Sequence, residues 1–238
     1  MSNIESEIEN LKTGSVSIFE FVKRQEPLIP ELEADYVESF EECMGMPCIF
    51  NKFVHTVMAV PHYFALYNEQ YRFRSQAADK FLINKEFEKY LAVIEKPYRV
   101  EEFLKIQPMI EDDQAYYNLF EDIWVCVENI WQYKDQLALH IIERVATLPD
   151  HQRFDPAVKL NFDSNGELEI YRGVNKNGDH YGLSFTTDRE QARWFSSRLC
   201  KSKEGYVREL TVTKDDIIFT TNRRAEKEVV TLLGLNDE

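Results

Sequence analysis

The residues of this chain best suited to chemistry lie in its last third: Arg172, Ser184 and Glu228, with Glu226 two positions before the last of them. A planar guanidinium can grip phosphate oxygens through two parallel, charge-assisted hydrogen bonds. A carboxylate can stabilise positive charge that develops in a transition state, and a second one can bind and help deprotonate a cationic nucleophile. Seen singly, each residue has an ordinary reading: Arg172 as a solvated strand-edge charge, Ser184 as a local hydrogen-bonder beside a turn, and Glu226-Lys227-Glu228 as a charged turn entering a strand. Their order and their neighbours set them apart.

Tyr171-Arg172-Gly173 is followed by Gly182-Leu183-Ser184-Phe185-Thr186-Thr187-Asp188, then by Ala192-Arg193-Trp194-Phe195, then by Arg224-Ala225-Glu226-Lys227-Glu228-Val229-Val230. The ordered set resembles the Arg–Ser–Glu class of mono-ADP-ribosyltransferases, which bacterial toxins and bacteriophage enzymes populate. The resemblance spans about 65 of the 238 residues and leaves the first 150 out. It implies a small split-β module that takes NAD as substrate, transfers ADP-ribose to a protein or other macromolecular acceptor and releases nicotinamide, with no metal.

Carried onto these positions, the resemblance gives each residue a role. Arg172 would anchor the NAD pyrophosphate, and Glu228 would be held against the ribose hydroxyls as the nicotinamide bond breaks. Ser184 matches the first residue of the class's Ser-Thr-Ser motif, whose hydroxyl orients the catalytic glutamate and lines the nicotinamide pocket. Here the motif reads Ser184-Phe185-Thr186, so a hydroxyl is kept two residues on, on the same strand face, while Phe185 points the other way, toward a core. Arg172, Gly173, Ser184, Phe185 and Thr186 are the stretch expected to hold NAD. Glu226 matches the first glutamate of a Glu-x-Glu pair that engages the acceptor, with arginine as the leading target. Period-two strand geometry would put it on one face with Glu228. Residues 220–224 stand in the place of an acceptor-recognition loop, locally basic through Arg223 and Arg224 and suited to an acidic partner surface.

The elements that must position these groups follow from patterning. Residues 168–174 alternate as a strand, 175–182 form a loop, 183–186 a second strand, and Thr187-Asp188-Arg189-Glu190 reads as a capping box opening a helix over 188–199, with Ala192, Phe195 and Leu199 on its buried side. Further strands are expected at 206–212, 215–219 and 228–233. Residues 3–148 have few glycines and apolar residues at three- and four-residue intervals, an all-helical pattern punctuated by Pro27, Pro30, Pro47, Pro61, Pro97 and Pro108. Ser17 and Glu20 make a capping box there. The longest predicted helix runs from Asp112 or Asp113 to Leu148, with Phe120, Ile123, Val127, Ile130, Leu137, Ile141 and Val145 as its core stripe. The period breaks between Pro149 and Pro156, so the expected organisation is α+β: a helical region over 1–150, then a β-rich module over 151–238; the resemblance implies that the module binds NAD and that the helical region binds the target or covers the cleft.

Composition limits the alternatives. With 44% hydrophobic and 13% aromatic residues the chain can bury a core. The net charge is −14, of which residues 1–160 carry −12 and residues 161–238 carry −2, a balance that disfavours conventional nucleic-acid binding. No apolar run reaches the roughly 20 residues of a bilayer span, and the first residues lack the basic and apolar regions of a signal peptide. Four cysteines in 238 residues suggest no disulfide framework. The expectation is a cytoplasmic protein; the resemblance adds that it would be host-cytoplasmic if bacteriophage-encoded, acting on host or defence machinery. Cys43, Cys48, His55 and His62 fall outside structural-zinc spacing and in a segment that reads as helix. The rival readings are an NAD glycohydrolase and an acidic binding or inhibitor protein without turnover.

Overall fold

The computed structural model describes residues 40–43, 46–127, 130–175, 178, 180–198 and 205–235. The chain forms two compact units, Met1–Met109 and Ile110–Glu238, dividing at residue 109 rather than near residue 150. The Ser17–Glu20 capping box lies outside the described residues.

In the first unit, strands β1 (Phe40–Cys43), β2 (Met46–Phe50) and β3 (His55–Thr56) form an antiparallel sheet in that order. The all-helical reading is therefore corrected at residues 40–43, 46–50 and 55–56. Cys48-Ile49-Phe50 is an apolar run too short for periodicity to separate strand from helix. Asn51 then reverses the chain: its Oδ1 accepts from the Phe53 amide at 2.8 Å, and its backbone exchanges bonds with Val54. The turn places Ile49 and Val54 against Ala59 and Phe64 in one apolar cluster. Pro61 and Pro97 sit in short 3-10 turns, which precede helices α1 (Phe64–Ile83) and α3 (Arg99–Ile106), with α2 (Phe87–Ala92) between them. Val100, Phe103 and Ile106 form the buried stripe of α3.

The second unit opens with α4 (Asp113–Cys126), whose N-cap Asp112 accepts the Ala115 amide at 2.7 Å. The long predicted helix is interrupted: the chain turns extended at Val127, then continues as a 3-10 turn (Ile130–Tyr133) and α5 (Lys134–Glu143). The apolar stripe survives the break, since Phe120, Ile123, Val127, Leu137, Ile141 and Val145 are all buried. A core stripe constrains which residues face inward and leaves helix continuity open. Tyr117, Phe120 and Trp124 of α4 pack edge-on around the Phe219 ring, with centroids 6.1, 5.5 and 5.3 Å away.

Strands β4 (Glu167–Val174), β5 (Ser184–Thr186), β6 (Tyr206–Thr213), β7 (Ile217–Thr221) and β8 (Glu228–Thr231) form one sheet in the order β6-β4-β5-β8-β7, every pair antiparallel. Leu168, Ile170, Phe185, Leu210, Val212, Ile217 and Val229 form its core. The segment read as an interdomain break is stitched onto β7: after the short helix α6 (Asp150–Arg153), Phe154 bridges Thr220, and Arg153 donates to the carbonyls of Ile217 and Ile218. Those bonds, with the aromatic cluster, explain why residues 110–150 belong with the sheet.

Helix α7 (Arg189–Ser197) packs on β4. Its cap is Asp188, which accepts the amides of Glu190 and Gln191, so the helix is capped one residue later than the Thr187 box predicts. Gly173 permits the crossing: a Cβ there would lie 2.1 Å from the Ala192 carbonyl oxygen. Among the described residues, no helix is long and apolar enough to cross a membrane.

Candidate active site

Register brings the sequence-selected residues together. Thr186 of β5 pairs with Glu228 of β8, and Ser184 pairs with Val230, so β5 sets the serine beside the start of β8. From there the Ser184 hydroxyl donates to Glu228 Oε1 at 2.5 Å. Arg172, on the other neighbour of β5, donates from Nη1 to the Ser184 carbonyl at 2.9 Å. Its guanidinium lies flat against Gly182, where a Cβ would come 2.3 Å from Arg172 Cζ. Any side chain at 182 would displace that guanidinium.

Glu228 is only 3% exposed and carries two further donors. Trp124 Nε1 of α4 donates to Oε1 at 2.9 Å, and Arg224 Nη2 donates to Oε2 at 3.1 Å. A buried carboxylate is costly unless its lone pairs are matched by donors, and these three supply the match.

Glu226 arrives by a different route from the one its spacing suggested. It lies in the β7–β8 turn, outside the strand, and left-handed residues flank it: Ala225 at φ 56° and Lys227 at φ 49°. Asn222 closes the turn, its carbonyl taking the Ala225 amide at 2.7 Å and its Oδ1 the Lys227 amide at 3.0 Å. Thr186 Oγ1 donates to the Glu226 carbonyl at 2.7 Å, so this motif hydroxyl fastens the turn. The two carboxylates converge nonetheless, because Arg224 Nη2 also pairs with Glu226 Oε2 at 3.1 Å. Burial pushes the Glu226 carboxyl above the ordinary range and Glu228 adds to this, while Arg224 and Arg198 pull it back.

Arg172, Gly173, Ser184, Phe185, Thr186, Glu226 and Glu228 all border one cleft of about 380 Å³, together with Arg198, Arg224 and the ring of Phe195. Phe185 is 3% exposed and belongs chiefly to the core, with the Arg208 guanidinium 5.9 Å from its ring centroid. Only part of the 220–224 stretch is loop: Thr220 and Thr221 are buried in β7, while Arg223, paired with Asp122 and 3.8 Å from Glu121, and Arg224, held by the two glutamates, lie beyond the strand with their side chains partly exposed.

Sequence reasoning missed Trp124, which lies 104 residues before the carboxylate it serves, within a region credited only with packing. It also missed Arg198, exposed at the end of α7 with its guanidinium 4.9 Å from the Phe195 ring centroid. Searches of protein families, of curated proteins and of solved structures find no match for the chain.

Proposed function

We propose that this cleft transfers ADP-ribose from NAD to a protein acceptor. The observation that carries the reading is Glu228, a buried carboxylate oriented by Ser184 and Trp124, bordering the same cleft as two arginines and a second carboxylate. NAD supplies a glycosidic bond whose leaving group, nicotinamide, departs as a neutral base. Arg172 and Arg198 provide cations for its pyrophosphate, and the Phe195 ring provides an apolar wall. Glu228 offers its charge to the ribose carbon that turns cationic as the bond breaks, with Ser184 and Trp124 fixing the carboxylate plane in advance. Glu226 engages the acceptor. A carboxyl raised above the ordinary range is a stronger base, suited to taking a proton from a guanidinium acceptor.

Incubation of the chain with labelled NAD and cell lysate tests this reading. Label on a protein, lost in Glu228→Gln at unchanged folding, is the expected result. Free ADP-ribose alone would replace transfer with hydrolysis. Intact NAD, or normal labelling by Glu228→Gln, would overturn the assignment.

A further inference from the structure

The cleft already holds a guanidinium. Arg224 Nη2 lies 3.1 Å from Glu226 Oε2 and 3.1 Å from Glu228 Oε2, bridging the two carboxylates at the place where an acceptor arginine would have to sit. We propose that Arg224 is itself an acceptor, and that the chain ADP-ribosylates this residue within its own cleft; the inference rests on the transferase reading above.

Among the described residues, three arginines border the cleft, and their surroundings separate them. Arg172 donates to the Ser184 carbonyl beneath Gly182, a setting that suits anchoring. Arg198 lies over the rings of Trp194 and Phe195, with centroids 5.3 and 4.9 Å away. Arg224 is the one bonded to both glutamates, and its side chain is 41% exposed, so a ribose can reach it. Neighbouring Arg223 is engaged by Asp122 on the side of α4.

The turn presents Arg224 rather than merely tolerating it. Ala225 and Lys227 both take left-handed backbone, a conformation unfavourable for a non-glycine residue that persists only where surrounding bonds impose it. Asn222 and Thr186 supply those bonds. A nucleophile fixed in this way has lost its positional entropy in folding, the largest single advantage of an intramolecular reaction.

The step balances without another reactant. A lone pair on an Arg224 terminal nitrogen forms a bond to C1′ of the nicotinamide-bearing ribose, and the C1′–nicotinamide bond breaks with its electron pair passing to the nicotinamide nitrogen. The proton lost by the guanidinium goes to Glu226. The modified side chain then leaves two phosphates beside two carboxylates, which repels further NAD and excludes an external guanidinium. Transfer to other proteins should therefore decline as Arg224 fills.

The test uses the purified full chain with NAD and no other protein, read by intact mass and by mapping of the modified peptide. The expected result is one ADP-ribose per chain, on Arg224, at a rate independent of protein concentration. Glu228→Gln should carry none, and Arg224→Lys should carry none at that position. An adduct elsewhere, a rate that rises with protein concentration, or labelling of lysate proteins with Arg224 left bare would overturn self-modification while leaving the transferase reading standing. Intact NAD both with and without lysate would remove both.

Discussion

Among the described residues, each unit of this protein buries one glutamate to the same degree, and the two have different surroundings. Glu102 of α3 and Glu228 of β8 are each 3% exposed. Glu102 accepts from Lys52 Nζ at 3.1 Å, from Lys105 Nζ at 2.8 Å and from the Tyr90 hydroxyl. Burial alone would raise its carboxyl, but the bonds from Lys105, Tyr90 and Lys52 outweigh it and hold the group below the ordinary range. Glu228 also has three donors, of which only Arg224 is a cation. The decisive difference is what lies beyond the donors. Glu228 borders a cleft with a second carboxylate beside it, whereas Glu102 is bonded by two partly exposed lysines and a buried tyrosine. A saturated buried carboxylate is a structural device by default and becomes a candidate for chemistry when a cleft and a second titratable group adjoin it.

Neutralising each glutamate is the strongest way to break that comparison. On the proposed transferase reading, Glu228→Gln removes the charge offered to the developing cation, and an electrostatic contact of this kind is worth on the order of 100-fold in turnover or more. Steady-state nicotinamide release per folded molecule should fall by that factor, beyond the stability cost of about 2 kcal/mol that weakening three bonds to this buried carboxylate also carries. Glu102→Gln should act on stability alone. Weakening three charge-assisted bonds to a buried group costs about 2 kcal/mol, visible as a lower denaturation midpoint, with nicotinamide release per folded molecule unchanged within twofold. If Glu102→Gln reduced turnover as Glu228→Gln does, the distinction between the two carboxylates would fail.

How far each region could be read in the sequence follows the same division. The first half of strand β4 alternates, and the Ser184-Phe185-Thr186 and Glu226-Lys227-Glu228 motifs are local, so period and spacing reach them. The Asp188 cap is local too, and sequence missed it by one residue because Thr187 and Asp188 are both good N-caps. Contacts between distant segments leave no such trace. Nothing in Trp124 distinguishes an indole that donates to Glu228 from one that only packs on Phe219. The β1–β3 sheet was missed for another reason: its strands are two to five residues long, below the length at which alternation separates from helical spacing. Glu226 comes to Glu228 through the turn geometry of Ala225 and Lys227 and not through the strand period that its spacing suggests.

Trp124 offers a smaller and sharper test. Trp124→Phe keeps an aromatic ring against Phe120 and Phe219 but removes the Nε1–H that bonds Glu228. The carboxylate retains Ser184 and Arg224, so Trp124 acts as a positioning residue. Losing one neutral donor to a charged acceptor corresponds to roughly 1 kcal/mol, or about fivefold. That loss is expected in kcat with KM for NAD unchanged, because orientation of the carboxylate counts in the transition state more than in binding. A KM effect alone would show that the indole shapes the cleft and does not orient Glu228.

The least disruptive test is pH, where the two regions should differ in sign. Glu102 is depressed in the folded state, so its contribution to stability is complete above the unfolded pKa of about 4.3 and is lost as pH falls through the lower folded value. The gap in melting temperature between the wild type and Glu102→Gln should therefore be widest near neutrality and close in acid. Glu226 is raised in the folded state, so its contribution is complete below the unfolded value and lost as pH rises through the higher folded one. Glu226→Gln should thus be as stable as the wild type in acid and slightly more stable at neutral pH. With its side chain 21% exposed, solvent screening keeps that gain small. A Glu226→Gln variant that lost stability at neutral pH would mean that the ion pair to Arg224, rather than burial, governs this carboxylate. It would then resemble Glu102, and its role as a base toward an acceptor would lose its physical ground.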